Sequence, residues 1–257
     1  MSIVKYISAF AVVISLNAVA QESAQPNLSR DRGVPPPEWN ILADPFNEKE
    51  PSIKDIVNRT AKVYANLQSY QARAITLGIS LGQNIYTRMQ ELARIDKSTH
   101  RFWIQRCFLT TKGDCKYTFL LWKDKEQLRS WSEAPNKVEI LHALDINMLD
   151  EIPTQLAVDS VLMEKYFVKL SGKYRISDIT ENDVAYYRIQ TMGINSYGTP
   201  KETYVKTTYW IRKSDALITR IIRDKSNTEL QFKHYSRTDY DITVNQPIPE
   251  SEFEFGH

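Results

Sequence analysis

The chain has 257 residues, of which 42% are hydrophobic, 25% charged and 11% aromatic, and only eight are glycine. This composition is typical of a folded globular protein and excludes a low-complexity or disordered one. The formal net charge is +2 and the two signs alternate along the chain, so we expect no extended basic surface for nucleic acid.

The first twenty residues have the layout of a secretory signal peptide. Lys5 precedes an apolar run, and the small residues Ala18-Val19-Ala20 follow it. The run has about 10 residues, whereas a bilayer-spanning helix needs about 20. We therefore expect cleavage after Ala20 and a soluble mature protein, with a membrane-anchored segment as the alternative. Because Gln21 and not a cysteine follows the cleavage point, we expect no N-terminal lipid anchor.

Residues 21–51 are predicted to form a Pro-rich arm or linker over the surface. Proline lacks a backbone donor and disfavours helix in the residue before it, and the segment shows no sustained periodicity. Four large apolar residues predict that the arm is partly docked: Trp39, Ile41, Leu42 and Phe46. The predicted organisation is therefore a signal peptide at 1–20, this arm at 21–51 and one folded domain at 52–257.

An amphipathic helix is predicted from Ser52 to Leu67. Ser52 is placed as its N-cap with Asp55 three positions on, and the apolar residues recur at helical spacing after it.

A series of β-rich segments, separated by polar or Gly-containing turns, predicts an antiparallel meander. The segments are 69–77, 84–95, 101–109, 116–122, 127–131, 174–180, 185–192, 203–211, 217–223 and 229–240. Cys107 and Cys115 face each other across one of the predicted hairpins, so we expect a structural disulfide between them. A redox role would favour the C-x-x-C spacing, which is absent.

The meander is interrupted by a second predicted helix, Thr154 to Phe167, whose apolar residues cover more than half of the helical wheel. The predicted fold class is therefore α+β: a curled antiparallel sheet, or half-open β-barrel, with helices covering its concave face.

No motif indicates an enzyme. The four histidines are scattered without metal-ligand spacing, and no nucleophile elbow, P-loop or dinucleotide-binding glycine motif is present. Asp239 and Asp241 flank Tyr240 and would share one strand face, which we interpret as a solvated surface in preference to a paired-carboxylate site. We expect a non-enzymatic protein without metal or cofactor.

Four segments resemble the LolA-like superfamily of outer-membrane lipoprotein-sorting and lipoprotein-carrier proteins, which includes related periplasmic families. They are the helix end Val63-Tyr64-Ala65-Asn66-Leu67-Gln68-Ser69-Tyr70-Gln71-Ala72, the strand pair at 122–131, Tyr209-Trp210-Ile211 with its turn, and the ending at 245–253. Together these four segments span most of the chain from Ser52 to His257. The resemblance implies a half-open barrel closed by helices, with an apolar cavity for acyl chains.

What the resemblance implies is a periplasmic protein of a Gram-negative bacterium, acting as a monomer on a lipid or an acylated lipoprotein, with an inner- or outer-membrane protein as a further partner. An envelope sensing or regulatory module with the same fold is the alternative. The predicted cavity residues are chosen by position in the elements: Phe102, Ile104, Arg106, Phe119, Leu121, Val158, Leu162 and Trp210. Alternation puts Arg106 on the face of Phe102 and Ile104, where it would serve a headgroup or carbonyl; its other interpretation is a solvent-facing residue.

Overall fold

A computed structural model describes residues 52–80, 85–124, 127–133, 136–141, 176–195, 203–226 and 233–254. All of them belong to one compact unit, Arg32–His257. The predicted signal peptide, the predicted arm and the predicted helix from Thr154 to Phe167 lie outside the described residues.

Helix α1 spans Ile53–Asn66. The Ser52 hydroxyl accepts from the Asp55 N–H at 3.3 Å and donates to the Asp55 carboxylate at 2.6 Å, which is the predicted N-cap. At the other end the Lys97 ammonium donates to the carbonyls of Tyr64 and Ala65 at 3.2 and 3.0 Å, where the helix leaves carbonyls without partners. No helix of the described residues is long and apolar enough to cross a membrane.

Eleven antiparallel strands form one sheet. They are β1 Ser69–Ser80, β2 Ile85–Asp96, β3 Arg101–Leu109, β4 Cys115–Asp124, β5 Gln127–Ser132, β6 Lys137–Leu141, β7 Ile176–Glu181, β8 Val184–Asn195, β9 Thr203–Arg212, β10 Ile218–Ser226 and β11 Lys233–Val244. Their order across the sheet is β6-β5-β4-β3-β2-β1-β11-β10-β9-β8-β7. Strands adjacent in the chain are paired with each other except β6 and β7, which lie at the two edges, and the pairing of β1 with β11 joins the two halves.

All ten predicted strand segments are strands, whereas β6 was not predicted. The predicted curled sheet or half-open barrel is not formed by the described residues: their sheet is neither closed nor strongly curled, and β6 and β7 lie at its two edges. Accumulated twist is relieved by flattening as well as by curling in a sheet of this size. The described residues are mostly β with one α-helix, so the antiparallel sheet and its first helix are confirmed.

Strand alternation gives the sheet two sides. The helix side is the one on which α1 packs: Ile56 and Val57 join Ile189, Tyr209 and Ile221 in one buried cluster. A second cluster on this side surrounds the end of the helix and contains Tyr64, Leu67, Tyr70, Ala93, Phe102, Ile104, Leu121, Leu128 and Leu217. The opposite side carries the residues between these positions, among them all four tryptophans of the described strands: Trp103, Trp122, Trp131 and Trp210.

The predicted disulfide between Cys107 in β3 and Cys115 in β4 is confirmed, with 5.4 Å between the two Cα atoms. The turn between them is closed by a hydrogen bond from the Thr110 N–H to the Asp114 carbonyl at 2.9 Å. Gly113 in this turn has φ +88°, a conformation that glycine adopts without strain. The disulfide therefore fixes one end of the β3–β4 hairpin.

The predicted hairpin of β9 and β10 is also confirmed. Asp215 forms an ion pair with Arg212 at 2.7 Å and accepts from the Leu217 N–H at 3.1 Å, which fixes the turn. The Tyr64 hydroxyl of α1 accepts from the Ile218 N–H at 3.2 Å, so the helix is bonded to this hairpin as well as packed on the sheet. Burial raises the pKa of Tyr64 well above its ordinary value, and its hydroxyl therefore stays neutral.

Candidate functional site

A row of side chains crosses the middle of the helix side, just beyond the area under α1. In register from β4 through β3, β2 and β1 to β11, it consists of Phe119, Arg106, Glu91, Ala74 and Tyr240, which we call the central row. The neighbouring row toward the helix is wholly apolar: Leu121, Ile104, Ala93, Ala72 and Ile242. The central row is therefore the first row beyond this apolar one that carries charged side chains.

The central row contains one ion pair. The Arg106 guanidinium donates to one Glu91 carboxylate oxygen through Nε at 2.9 Å and through its second nitrogen as well. Both side chains are only partly exposed, 19% for Arg106 and 28% for Glu91. Half-buried apolar side chains surround this pair: Phe119 in the row, and Phe108 and Met89 in the next row away from the helix. The chemistry here is that of an amphiphile, since apolar contact area adjoins a charge that can donate hydrogen bonds.

Tyr240 ends the central row and packs against the cluster under α1. Burial raises the pKa of Tyr240 to about 12, against the charges of Arg223 and Arg106 that lower it. At neutral pH its hydroxyl is therefore uncharged and available as a donor. Glu91 and Arg106 share the row of Tyr240 by strand register.

Arg223 lies further from the helix on the same side, and hydroxyl groups surround it. Its direct neighbours across the strands are Thr207 in β9 and Ser236 in β11, both buried. Beyond them, Thr191 in β8 is buried as well, and the Thr76 and Thr238 hydroxyls bond to each other at 2.9 Å. No carboxylate of the described residues pairs with Arg223. The helix side therefore has a half-buried cation among neutral hydroxyls.

The opposite side is organised differently, because two of its tryptophans, Trp210 and Trp103, lie beneath arginines that carboxylates hold in place. Arg220 stacks on Trp210 at 4.4 Å and pairs with Glu181 at 2.9 Å and Asp239 at 2.5 Å. Arg237 reaches the same Asp239 at 2.7 Å. The Asp239 side chain, which is 39% exposed, is therefore held by two arginines.

A second arginine–tryptophan stack lies on the opposite side near the C-terminus. Arg94 stacks on Trp103 at 4.5 Å and pairs with Glu252 at 2.6 Å. The 3₁₀ turn Glu250–Phe253 supplies that carboxylate and inserts Phe253 against Trp103, Leu120 and Trp122. This segment therefore fastens the end of the chain to the sheet.

A shallow groove of about 220 Å³ lies on the opposite side, across β11, β1 and β2. Its lining combines the apolar Ala72, Leu92 and Ala93 with polar side chains, which are those of Gln71, Arg73, Arg94, Asp241 and Thr243. None of the predicted cavity residues lines it. It lacks the apolar area that an acyl chain needs.

The structure places the predicted cavity residues that it describes on two different sides of the sheet. It brings five of them together on the helix side: Phe102, Ile104 and Leu121 are buried, and Arg106 and Phe119 are half-buried. Trp210, whose side chain is 1% exposed, lies on the opposite side, so it does not share a surface with the other five. Val158 and Leu162 lie outside the described residues. Ligand binding by these residues remains a prediction.

Three residues of the helix-side site were not predicted: Glu91, Tyr240 and Arg223. The β2 sequence carries a signal for Glu91, since the spacing of Glu91, Ala93 and Ile95 puts a carboxylate on an apolar face. Tyr240 and Arg223 carry no such signal, because their neighbours come from strand pairs that are remote in sequence.

No family model matches the chain, and no curated protein matches it. Its structure is similar to the lipoprotein LppX of Mycobacterium tuberculosis, with 8% identity and a TM-score of 0.40 over 78% of this chain and 99% of that one. It is also similar to LprF from Mycobacterium bovis, with 8% identity and a TM-score of 0.42 over 79% and 97% of the two chains. A LolA superfamily protein from Nitrosomonas europaea aligns with 12% identity and a TM-score of 0.32 over 80% and 98%. At such low identities and TM-scores, the function proposed below rests on this chain's own residues.

Proposed function

We propose that this protein is an extracytoplasmic, non-enzymatic carrier that binds an acyl-chain ligand, either a free lipid or the acyl chains of a lipoprotein, on the helix side of its sheet. The observation that carries the proposal is the set of half-buried apolar side chains, Met89, Phe108 and Phe119, around the half-buried Arg106–Glu91 pair. This arrangement offers contact area to methylene groups and hydrogen bonds to a polar head.

The dimensions of the two elements support the proposal. Helix α1 has 14 residues and a length of about 21 Å, at about 1.5 Å per residue. The sheet has eleven strands and a width of about 50 Å, at about 4.8 Å per strand. Among the described residues, this one helix covers only part of the helix side. Each methylene that a ligand buries there contributes about 0.8 kcal/mol.

The disulfide supports the assignment of the protein to an exported compartment. Bonds such as Cys107–Cys115 form and persist in exported spaces and are rare in the cytosol. Together with the signal-peptide layout of residues 1–20, this favours the periplasm of a Gram-negative bacterium, where an inner- or outer-membrane protein would be the further partner.

The experiment that tests the proposal is native mass spectrometry of protein isolated without detergent, followed by titration of the delipidated protein with a neutral twelve-carbon monoacylglycerol. We expect co-purifying lipid and a saturable complex with the added ligand. Absence of both would contradict the proposal.

Two matched variants locate the site. Phe119→Gln removes a half-buried apolar side chain from the helix side, and Leu92→Gln removes one from the opposite side. We expect Phe119→Gln to weaken binding about tenfold, because about 1.5 kcal/mol of apolar contact is lost. Leu92→Gln should leave the dissociation constant of the folded protein unchanged. Equal effects of the two changes would speak against a site on the helix side.

A further inference from the structure

We infer that Arg223 forms a headgroup subsite, so that the ligand is an anionic amphiphile whose phosphate or carboxylate binds the Arg223 guanidinium between the hydroxyls of Thr207 in β9 and Ser236 in β11. The inference rests on the proposed function, because it names the chemical class of the ligand at the same helix-side surface. It goes further in assigning a charge to that ligand.

The neighbours of Arg223 are suited to an oxyanion. Thr207 and Ser236 lie directly opposite it on the two adjoining strands, and each hydroxyl is a donor as well as an acceptor. The guanidinium presents a fork of donors that matches the geometry of phosphate and carboxylate. Neutral hydroxyls add donors without adding the negative charge that would repel such a ligand.

Several half-buried arginines of the sheet are paired with carboxylates, whereas Arg223 has no such partner among the described residues. Arg94, Arg101, Arg106 and Arg220 each have a carboxylate partner. The carboxylates that lie near Arg223 in the sheet are engaged elsewhere. Glu91 binds Arg106, and Asp224 faces the opposite side, where it pairs with Lys206 at 3.0 Å. The described residues give the Arg223 guanidinium no counter-ion, and an anionic ligand would relieve the cost of a partly desolvated charge.

The position of Arg223 fits a headgroup attached to an acyl chain. Arg223 lies opposite Ser236, and the Arg106–Glu91 pair is in register with Tyr240, four residues further along β11 on the same side. The cation and the apolar side chains around the pair therefore share one side of the sheet. A ligand can therefore place its chain along Phe119, Phe108 and Met89 while its anionic end reaches Arg223.

The test compares amphiphiles that share one chain and differ in headgroup. Delipidated protein is titrated at neutral pH, below the micelle concentration, with dodecyl phosphate, with dodecanoate and with the neutral twelve-carbon monoacylglycerol. We expect the two anions to bind at least about tenfold more tightly than the neutral ligand, as a charge-assisted hydrogen bond provides. Inorganic phosphate, as a fourth probe, should neither bind nor compete at the same concentrations.

Variants assign the preference to Arg223. Arg223→Gln should abolish the preference for anions and leave the affinity for the neutral ligand unchanged, and Arg223→Lys should keep part of it, because the charge remains without the fork. Arg73→Gln is the control, since it removes the same charge from an exposed arginine of the opposite side. It should leave all affinities unchanged.

The outcomes separate the inference from the proposed function. Equal binding of anionic and neutral ligands by the wild type, a measurement that needs no variant to fold, would overturn the inference and leave the proposed function standing. Binding of none of the amphiphiles would overturn both. Inorganic phosphate that competes as well as dodecyl phosphate would also overturn the inference, because it would define a site for free anions.

Discussion

The two sides of the sheet use arginine in different ways. On the opposite side, Arg94 and Arg220 stack on tryptophans and are held by carboxylates. Their charges and the tryptophan rings beneath them therefore make their contacts within the protein. On the helix side, Arg106 lies among half-buried apolar side chains, and Arg223 has no carboxylate partner among the described residues. The difference indicates that the opposite side contributes stability, whereas the helix side retains groups that a ligand can use.

Truncation of Trp210 tests this comparison with the largest expected change in stability. Trp210→Ala should lower the free energy of unfolding by about 3–5 kcal/mol, because a fully buried aromatic side chain is removed from beneath Arg220. Denaturant titration measures the loss. The affinity of the folded fraction for an acyl ligand should not change.

Trp210→Phe is the control for this change. The Trp210 indole N–H is buried without a hydrogen-bond partner, so its removal costs no bond, and the loss should be much smaller than for alanine. A stable Trp210→Ala protein that no longer binds lipid would contradict the assignment of Trp210 to a structural role.

Removal of the disulfide should have the next largest effect. The double change Cys107→Ser and Cys115→Ser opens a short loop and should lower the free energy of unfolding by about 2–3 kcal/mol. Chemical denaturation of the wild type with and without a reductant provides the comparison. If reduction left the midpoint unchanged, the bond would not be a stabilising element.

The pH dependence of stability tests Tyr240 on the helix side. Its pKa is about 12 in the folded protein and about 10 when unfolded, so the unfolded chain alone releases this proton between these values. Stability is therefore fully present below pH 10 and falls as the pH rises toward 12, by about 1.4 kcal/mol per pH unit. Tyr240→Phe should make this decline shallower, as followed by unfolding at pH 8, 10 and 11. A variant with an unchanged slope would mean that Tyr240 is not the responsible group.

The smallest expected effect belongs to the start of α1. Ser52→Ala removes the N-cap and should cost about 1 kcal/mol, because the Asp55 N–H loses its acceptor. Ser214→Ala, at an exposed turn position, is the control and should change stability by less than about 0.5 kcal/mol. Thermal unfolding of the two variants measures the difference. Equal midpoints would mean that the cap does not stabilise the docked helix.

Local patterns in the sequence were sufficient for most of the fold. The Ser52 cap, the disulfide hairpin and the β9–β10 hairpin are determined by residues that are close in the chain, and each was predicted. β6 was missed although Lys137-Val138-Glu139-Ile140-Leu141 alternates polar and apolar residues, because the segment has only five residues.

The site depended on register, which the sequence does not encode locally. In β9 the consecutive residues Tyr209, Trp210 and Ile211 are all apolar, so alternation does not reveal which side faces the helix. The structure resolves this, because Tyr209 packs in the cluster with α1 and Trp210 faces away. The partners of Arg223 come from β9 and β11, and they could not be predicted before the strand order was known.

The most direct test of the central claim is fluorescence quenching by a brominated fatty acid, since bromine quenches an indole only when it is close. The four tryptophans of the described strands all lie on the opposite side. In a Trp39→Phe background, the added change Phe119→Trp therefore supplies a reporter on the helix side. We predict that the ligand quenches the emission contributed by Phe119→Trp and leaves the native tryptophans unaffected. Quenching of the native tryptophans, with none at the new reporter, would contradict a ligand site on the helix side.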